Sequence, residues 1–580
     1  MTVEAAASGT RGLPPVEEAG RPAPAGLLVH RGAHVLRSLW RARTAFVFTF
    51  GLPLVWLVLV GIVAGNEVVD PTTDLRVMQF ATPTALAMGC LFATLPSVAI
   101  GVALDRESLV LKRLRGTPLP SWAYVASQVA AVTALAVAAI AVLLAVAILA
   151  YGVTVPAEAV PSLVVTILLA LLSFSALGIA IATLAPSARA TEAISIGLVV
   201  VLSFISGVFI IGGELPAWLG DLAWALPLKP FVVSLQDLFN PSDDLPPWNL
   251  GHLALIAAWG AAGAIVAAVA FRWEPHARRR RGGAAPGART GSDAADRPAR
   301  AAVGATSATA VLDRARTGRP TELGRTMGQV GAALRSTLRR PGDLFFAVAV
   351  PLALVWLLVT LQGGGERDGI PIVTSTAAAM CAWGVAVVAF MTTAEWVAGS
   401  AERGLLKRWR GTPLSIAEIG TGRAVAAVVV GWVIAAAMLL LGAAAFGLRT
   451  TAGGVALGAV VVVLGVAALA ACGVLLATAV PDARAAGAVS LLLLFVVAFF
   501  SDVFLVGGPD WMRSVGAVFP LAHLRTALLE AWRPDGPMVA WGSIAMLVAW
   551  AVGAASATWM VQRVRGASWT AAGRRPRSGR

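Results

Sequence analysis

Charge is scarce in this chain, and lysine is the scarcest charge. Only 13% of the 580 residues are Asp, Glu, Lys or Arg, well short of the roughly 25% that coats soluble domains. Three lysines stand among 45 basic residues, and Leu precedes each: Leu111-Lys112, Leu228-Lys229 and Leu406-Lys407. A phosphate-cradling loop needs Gly-Lys followed by Ser or Thr, so no such loop is present. His30, His34, His252, His276 and His523 are scattered without ligand spacing, which excludes a histidine-built metal centre. Cys90, Cys381 and Cys472 lie singly inside apolar runs. They read as small buried hydrophobes, not as a disulfide framework. No catalytic triad or paired carboxylates are legible.

Apolar residues fill the space that charge leaves, at 58% of the chain. An apolar helix needs roughly 20 residues to cross the hydrocarbon core. Such runs lie near 44–64, 79–101, 121–151, 159–185, 192–212 and 250–271 (spans one to six). A second set lies near 343–362, 372–396, 415–447, 453–480, 485–506 and 538–562 (spans seven to twelve). The expected fold is an all-α polytopic membrane protein of twelve spans in two tandem six-helix domains.

The halves are copies. Lys112-Arg113-Leu114-Arg115-Gly116-Thr117-Pro118-Leu119 returns 295 positions later as Lys407-Arg408-Trp409-Arg410-Gly411-Thr412-Pro413-Leu414. The same offset carries Ala182–Ala190 onto Ala477–Ala485. Further upstream the offset is 298, matching Leu36-Arg37-Ser38 with Leu334-Arg335-Ser336 and Pro53 with Pro351. The second copy is therefore expected to have a loop three residues shorter between its first two spans.

Arginine sets the orientation, because basic loops stay inside. The stretch 272–342 has 15 Arg against five acids, and the tail from Arg563 adds six Arg and no acid. Loop 213–249 instead has five acids and a single Lys. Both termini and the central linker are thus expected in the cytoplasm. The net charge of +14 follows from topology and anionic lipid headgroups, so no nucleic-acid partner is expected. The abundant Arg and Ala fit a GC-rich bacterial genome. The expected order is a disordered tail (1–26), a first membrane domain (27–274), a flexible basic linker (275–320), a second membrane domain (321–565) and a basic tail (566–580). Each domain opens on an amphipathic interfacial segment, with Leu28, Val35, Leu36, Leu39 and Trp40 on one stripe and Met327, Val330, Leu334 and Leu338 on its counterpart.

Between spans two and three the chain reads Asp105-Arg106-Glu107-Ser108-Leu109-Val110-Leu111-Lys112-Arg113-Leu114-Arg115. As a helix it gathers Val110, Leu111 and Leu114 on one face and spreads its cations over the rest. Thr117-Pro118 and Thr412-Pro413 are expected to cap and open the next span. A topological arginine cluster explains the charge but not the near-identity of two copies whose flanking spans have diverged. A short protein-docking helix explains both.

This pattern, Glu-x-x-x-x-Lys-Arg-x-Arg-Gly-Thr-Pro-Leu after span two, resembles the coupling-helix region of type 2 ATP-binding-cassette transporter permeases, six-span domains akin to bacterial drug-resistance exporters. Ser206-Gly207-Val208-Phe209, then Leu215-Pro216-Ala217-Trp218 and Pro227, are similar to that family's span-five signature and outer hairpin. The second copy supplies Ser501-Asp502-Val503-Phe504, Trp511 and Pro520, and Phe271-Arg272-Trp273 resembles the exit from span six. The resemblance implies that Glu107, Lys112, Arg113 and Arg115, with Glu402, Lys407, Arg408 and Arg410, lie where a separate ATPase docks. Arg189 and Arg484 are candidates for a second cytoplasmic contact or are ordinary inside-facing arginines. Phe204, Phe209, Phe499, Phe500 and Phe504 are candidate pathway aromatics, with ordinary packing or lipid contact the alternative for each. Asp502 replaces the family's Gly, either facing the pathway or reaching the interface.

The implied function is a permease exporting a small hydrophobic or amphipathic compound, such as a drug, antibiotic or lipid. Two ATPase copies would carry the ATP and magnesium, and this chain would hold no cofactor or metal. The rival is an ion-coupled secondary transporter of the major facilitator type, since Gly101-Val102-Ala103-Leu104-Asp105-Arg106 mimics that class's loop. The mimicry is not repeated at Ala398-Gly399-Ser400-Ala401-Glu402-Arg403. The intramembrane acids Glu192, Glu395 and Asp502 lie near span ends, where they build no relay across the middle.

Overall fold

A computed structural model describes residues 31–37, 47–70, 75–116, 120–208, 217–240, 248–270, 322–339, 341–363, 365–367, 369–405, 408, 415–504 and 510–572. Among these, eleven helices are long and apolar enough to cross a membrane. They include Val77–Glu107, Ser121–Tyr151, Val160–Leu184, Ala188–Ile205 and Leu250–Ala270 in the first half. In the second half they are Phe345–Gln362, Ile372–Glu402, Ile416–Phe446, Ala452–Ala479, Ala483–Phe500 and the helix opening at Trp541. Span one is described as a π-helical turn, Val47–Gly51, running into Leu52–Ala64.

Matching irregularities mark the duplication. Span seven also opens on a π-helical turn, Phe345–Ala349, and each turn is followed at once by the paired prolines Pro53 and Pro351. Proline lacks an N–H and clashes with the preceding turn, and a widened turn just before it accommodates both defects. The expected three-residue deletion lies in the far-end hairpins. One closes through Val77 N–H on Glu67 O, the other through Ile372 N–H on Gly365 O.

Spans two and eight are the buried centre of each half, with 83% and 94% of their most apolar 18 residues buried. Their neighbours come very close. A Cβ added at Gly178 of span four would lie 2.5 Å from Leu95 O, and one at Gly473 of span ten 2.5 Å from Phe390 O. Only glycine permits that approach, and in lipid such backbone contact supplies much of the packing attraction.

The halves grip each other through a reciprocal contact. Span five packs on Pro341–Leu344 and the π turn of span seven, while span eleven packs on the π turn and helix of span one. Gly342 faces Ala193, and Gly197 faces the Phe345 ring. Phe495 of span eleven belongs to the first half's core, and Phe204 of span five packs against the second half's core.

The structure corrects the sequence expectations in three places. Spans two and eight run on to Glu107 and Glu402, so the acidic start of each docking segment is the last turn of a span. Span nine starts at Ile416 behind a capping box of Ser415 and Glu418, and span three starts at Ser121 behind Pro120. The Thr-Pro pairs are therefore not the caps, and they lie outside the described residues. The supposed outer loop 213–249 holds two helices, Ala217–Ala225 and Leu228–Phe239, with counterparts Asp510–Gly516 and Pro520–Ala531. Span-six and span-twelve tryptophans fasten them alike: Trp259 Nε1 donates to Ala225 O at 3.0 Å, and Trp550 Nε1 to Val518 O at 2.8 Å.

Candidate functional site

At the basic end of the bundle, span two breaks after Glu107 and the chain restarts as a short helix, Val110–Arg115. The break is Leu109, in the left-handed conformation at φ 60°, and its register partner Gly404 has φ 66°. Left-handed backbone costs a non-glycine residue roughly 1–2 kcal/mol. Leu109 accepts that strain while 44% exposed. Leu111 anchors the helix from below, wholly buried in a cluster with Val98, Val102, Tyr124, Val132, Ile179 and Ala182. Lys112 and Arg113 stand exposed above it, and Arg408 is exposed in the second copy. The Arg115 side chain, with Lys407 and Arg410, lies outside the described residues.

The two glutamates are exposed, and each reaches the start of a neighbouring span. Glu107 Oε1 accepts the backbone N–H of Ala188 at 2.8 Å, and Glu402 Oε2 accepts that of Ala483 at 3.4 Å. Ala188 and Ala483 open spans five and eleven, where the positive end of the helix dipole favours a carboxylate. Arg106 is buried to 4% exposure and donates to Ala182 O at 2.7 Å and Ala185 O at 2.8 Å. It thereby pairs the terminal carbonyls of span four that the helix itself leaves unbonded. In the second copy Ala401 takes that place, and Arg403 donates to Gly399 O of its own helix at 2.9 Å. Sequence reading placed Arg106 in the charged segment and in a transporter-like loop motif, but assigned it no partner.

The segments ahead of spans one and seven brace the same end. Arg31 lies 3.4 Å from Asp105 and stacks over the Tyr124 ring at 4.5 Å, while Tyr124 Oη donates to Asp105 at 3.0 Å. In the second half Arg325 of Glu322–Leu338 pairs with Glu418 at 2.8 Å. Arg189 and Arg484 are exposed beside the glutamate ties, in the first turns of spans five and eleven.

Toward the far end, Phe499 and Phe504 stack with Phe495, with ring centroids 5.0–5.7 Å apart, and Trp383 joins Phe504 at 4.8 Å. Phe204 and these rings line the contact between the halves. Phe500 does not join them; its ring meets Trp511 of the outer helix at 6.2 Å. Phe209 lies outside the described residues. Phe495, Trp383 and Arg525 were not singled out from sequence. Arg525 approaches Asp502, which sits in the turn after span eleven. No group of three metal-ligating side chains occurs among the described residues.

A family model for ABC-2 type transporters matches residues 32–240 and again residues 331–531. The chain belongs to that family. No curated protein matches it in sequence. As a doubled ABC-2 membrane domain, the protein is a multi-pass permease, the non-catalytic component that works with an ATPase.

Proposed function

We propose that this ABC-2 permease is the complete membrane path of an exporter, with one chain serving two copies of a separate ATPase. The docking segments face the cytoplasm of a bacterial cell, as do both termini. ATP and magnesium act on the ATPase, and alternating access opens the seam between the halves. The cargo is a small hydrophobic or amphipathic compound, for which the Phe204, Phe499 and Phe504 rings offer an apolar, shape-tolerant lining.

The observation that carries this reading is Leu109. A strained, exposed leucine beside Lys112 and Arg113, on a helix fastened from below by Leu111, has the make-up of a protein contact: an apolar anchor with charged flanks. The test is to add charge of the wrong sign. Lys112→Glu/Arg113→Glu/Arg408→Glu is expected to abolish co-purification of the ATPase, and the wild-type association is expected to weaken with salt. Wild-type protein that moves cargo on a proton or sodium gradient with no ATPase present would refute the reading.

A further inference from the structure

We propose that Glu107 and Glu402 are positioning residues that pass motion from the docking segments directly to the two helices at the seam, and are not themselves ATPase contacts. The inference rests on the docking reading above and adds its internal linkage. Each glutamate closes a span that leads into a docking segment, and each holds the first backbone N–H of the span that leans on the opposite half. The sequence separation is 81 residues in both copies, although the surroundings differ. Beyond the glutamates, the first copy adds Arg106 on span four, and the second has Ala401 there.

The route from end to end is short. A push on Val110–Arg115 moves Glu107, the carboxylate carries the start of span five, and span five moves against Gly342 and Phe345 of the other half. A side-chain acceptor at a helix start suits this role, since it is directional and satisfies an N–H that the helix leaves unbonded. The carboxylate needs only to accept, so its charge is dispensable where its oxygen is not.

That distinction gives the experiment. In the assembled complex with Cys472→Ala, Ala193→Cys alone reports the seam by its reactivity with a maleimide, because Ala193 lies against Gly342 of the other half, while Cys90 and Cys381 are buried. The labelling rate is measured with and without ATP and magnesium, alongside ATPase co-purification. Glu107→Ala is expected to reduce the nucleotide-dependent change in rate about tenfold, the size of one lost hydrogen bond. Glu107→Gln, which keeps the acceptor, is expected to stay within about twofold of wild type. Co-purification should be equal in all three.

A second variant removes the donor instead. Ala188→Pro deletes the N–H at the first helical position, where proline is tolerated, and Ser187 before it is already extended at φ −152°, ψ 159°. It should reproduce Glu107→Ala with the glutamate intact. An unchanged nucleotide response in both Glu107→Ala and Ala188→Pro overturns the proposal. So does a Glu107→Gln protein that loses the ATPase, which would place the carboxylate on the partner. Wild-type protein that binds no ATPase would instead overturn the docking reading itself.

Discussion

The Asp502 carboxylate and the Arg525 guanidinium approach to 3.7 Å at the far end of the second half, with 16% and 12% of their side chains exposed. The pair is loose and poorly satisfied: Asp502 Oδ1 and Arg525 Nε are buried without hydrogen-bond partners among the described residues. Asp502 is also left-handed at φ 54°, where Gly207 stands in the first half at φ 76°.

Breaking such a pair from one side leaves a buried charge, at about 3–5 kcal/mol, and relief of the left-handed strain returns about 1 kcal/mol. Asp502→Gly is therefore expected to lower stability by about 2–4 kcal/mol. Adding Arg525→Val, which copies Val232 of the first half, should recover most of it. Thermal unfolding in detergent decides the matter: a single variant as stable as wild type would mean the pair contributes nothing.

The same carboxylate makes stability depend on pH. Burial raises the Asp502 carboxyl above its usual range, opposed by the guanidiniums of Arg525 and Arg513. The folded chain thus keeps this proton to higher pH than the unfolded chain, so ionisation costs folded stability as pH rises from about 3.9. Relative to Asp502→Asn, which does not titrate, wild type should be favoured at the acidic end and lose that margin as pH climbs through the window. Parallel melting curves at every pH would remove the assignment.

The close glycines give a packing test. Gly178→Ala and Gly473→Ala each force a methyl onto a facing carbonyl, and are expected to destabilise by about 1–3 kcal/mol. Gly553 of span twelve has nothing within 4 Å, and Gly553→Ala should be neutral or stabilise by up to about 1 kcal/mol. Equal melting temperatures for all three variants would show that spans two and four, and spans eight and ten, have room to part.

The spans were legible because lipid leaves the sequence little freedom: each must be a long apolar run that pairs its own backbone groups. The outer helices were not. Leu228–Phe239 buries Leu228, Phe231, Val232, Leu235 and Phe239, but its apolar residues come in short runs broken by Lys229 and Asp237. The acids of 213–249 marked an external loop, and only the family resemblance at Pro216 and Pro227 pointed to a hairpin. Phe499 and Phe500 show a second limit, since neighbours on a helix point about 100° apart and only packing tells which one meets the seam. The glutamates show a third. The family resemblance drew attention to Glu107 and Glu402, but their partners are backbone N–H groups of two alanines, which carry no side-chain signature at all.

Fusion has let the two outer walls grow apart. The Lys229 ammonium sits about 4.0 Å from where a side chain at Gly207 would begin, whereas the matching turn of the second half holds an acid and a base together. A pair of identical subunits would show any visitor the same face twice, so that turning it half a revolution changed nothing. Here the two orientations differ in electrostatic energy, and a lopsided molecule has a preferred way round.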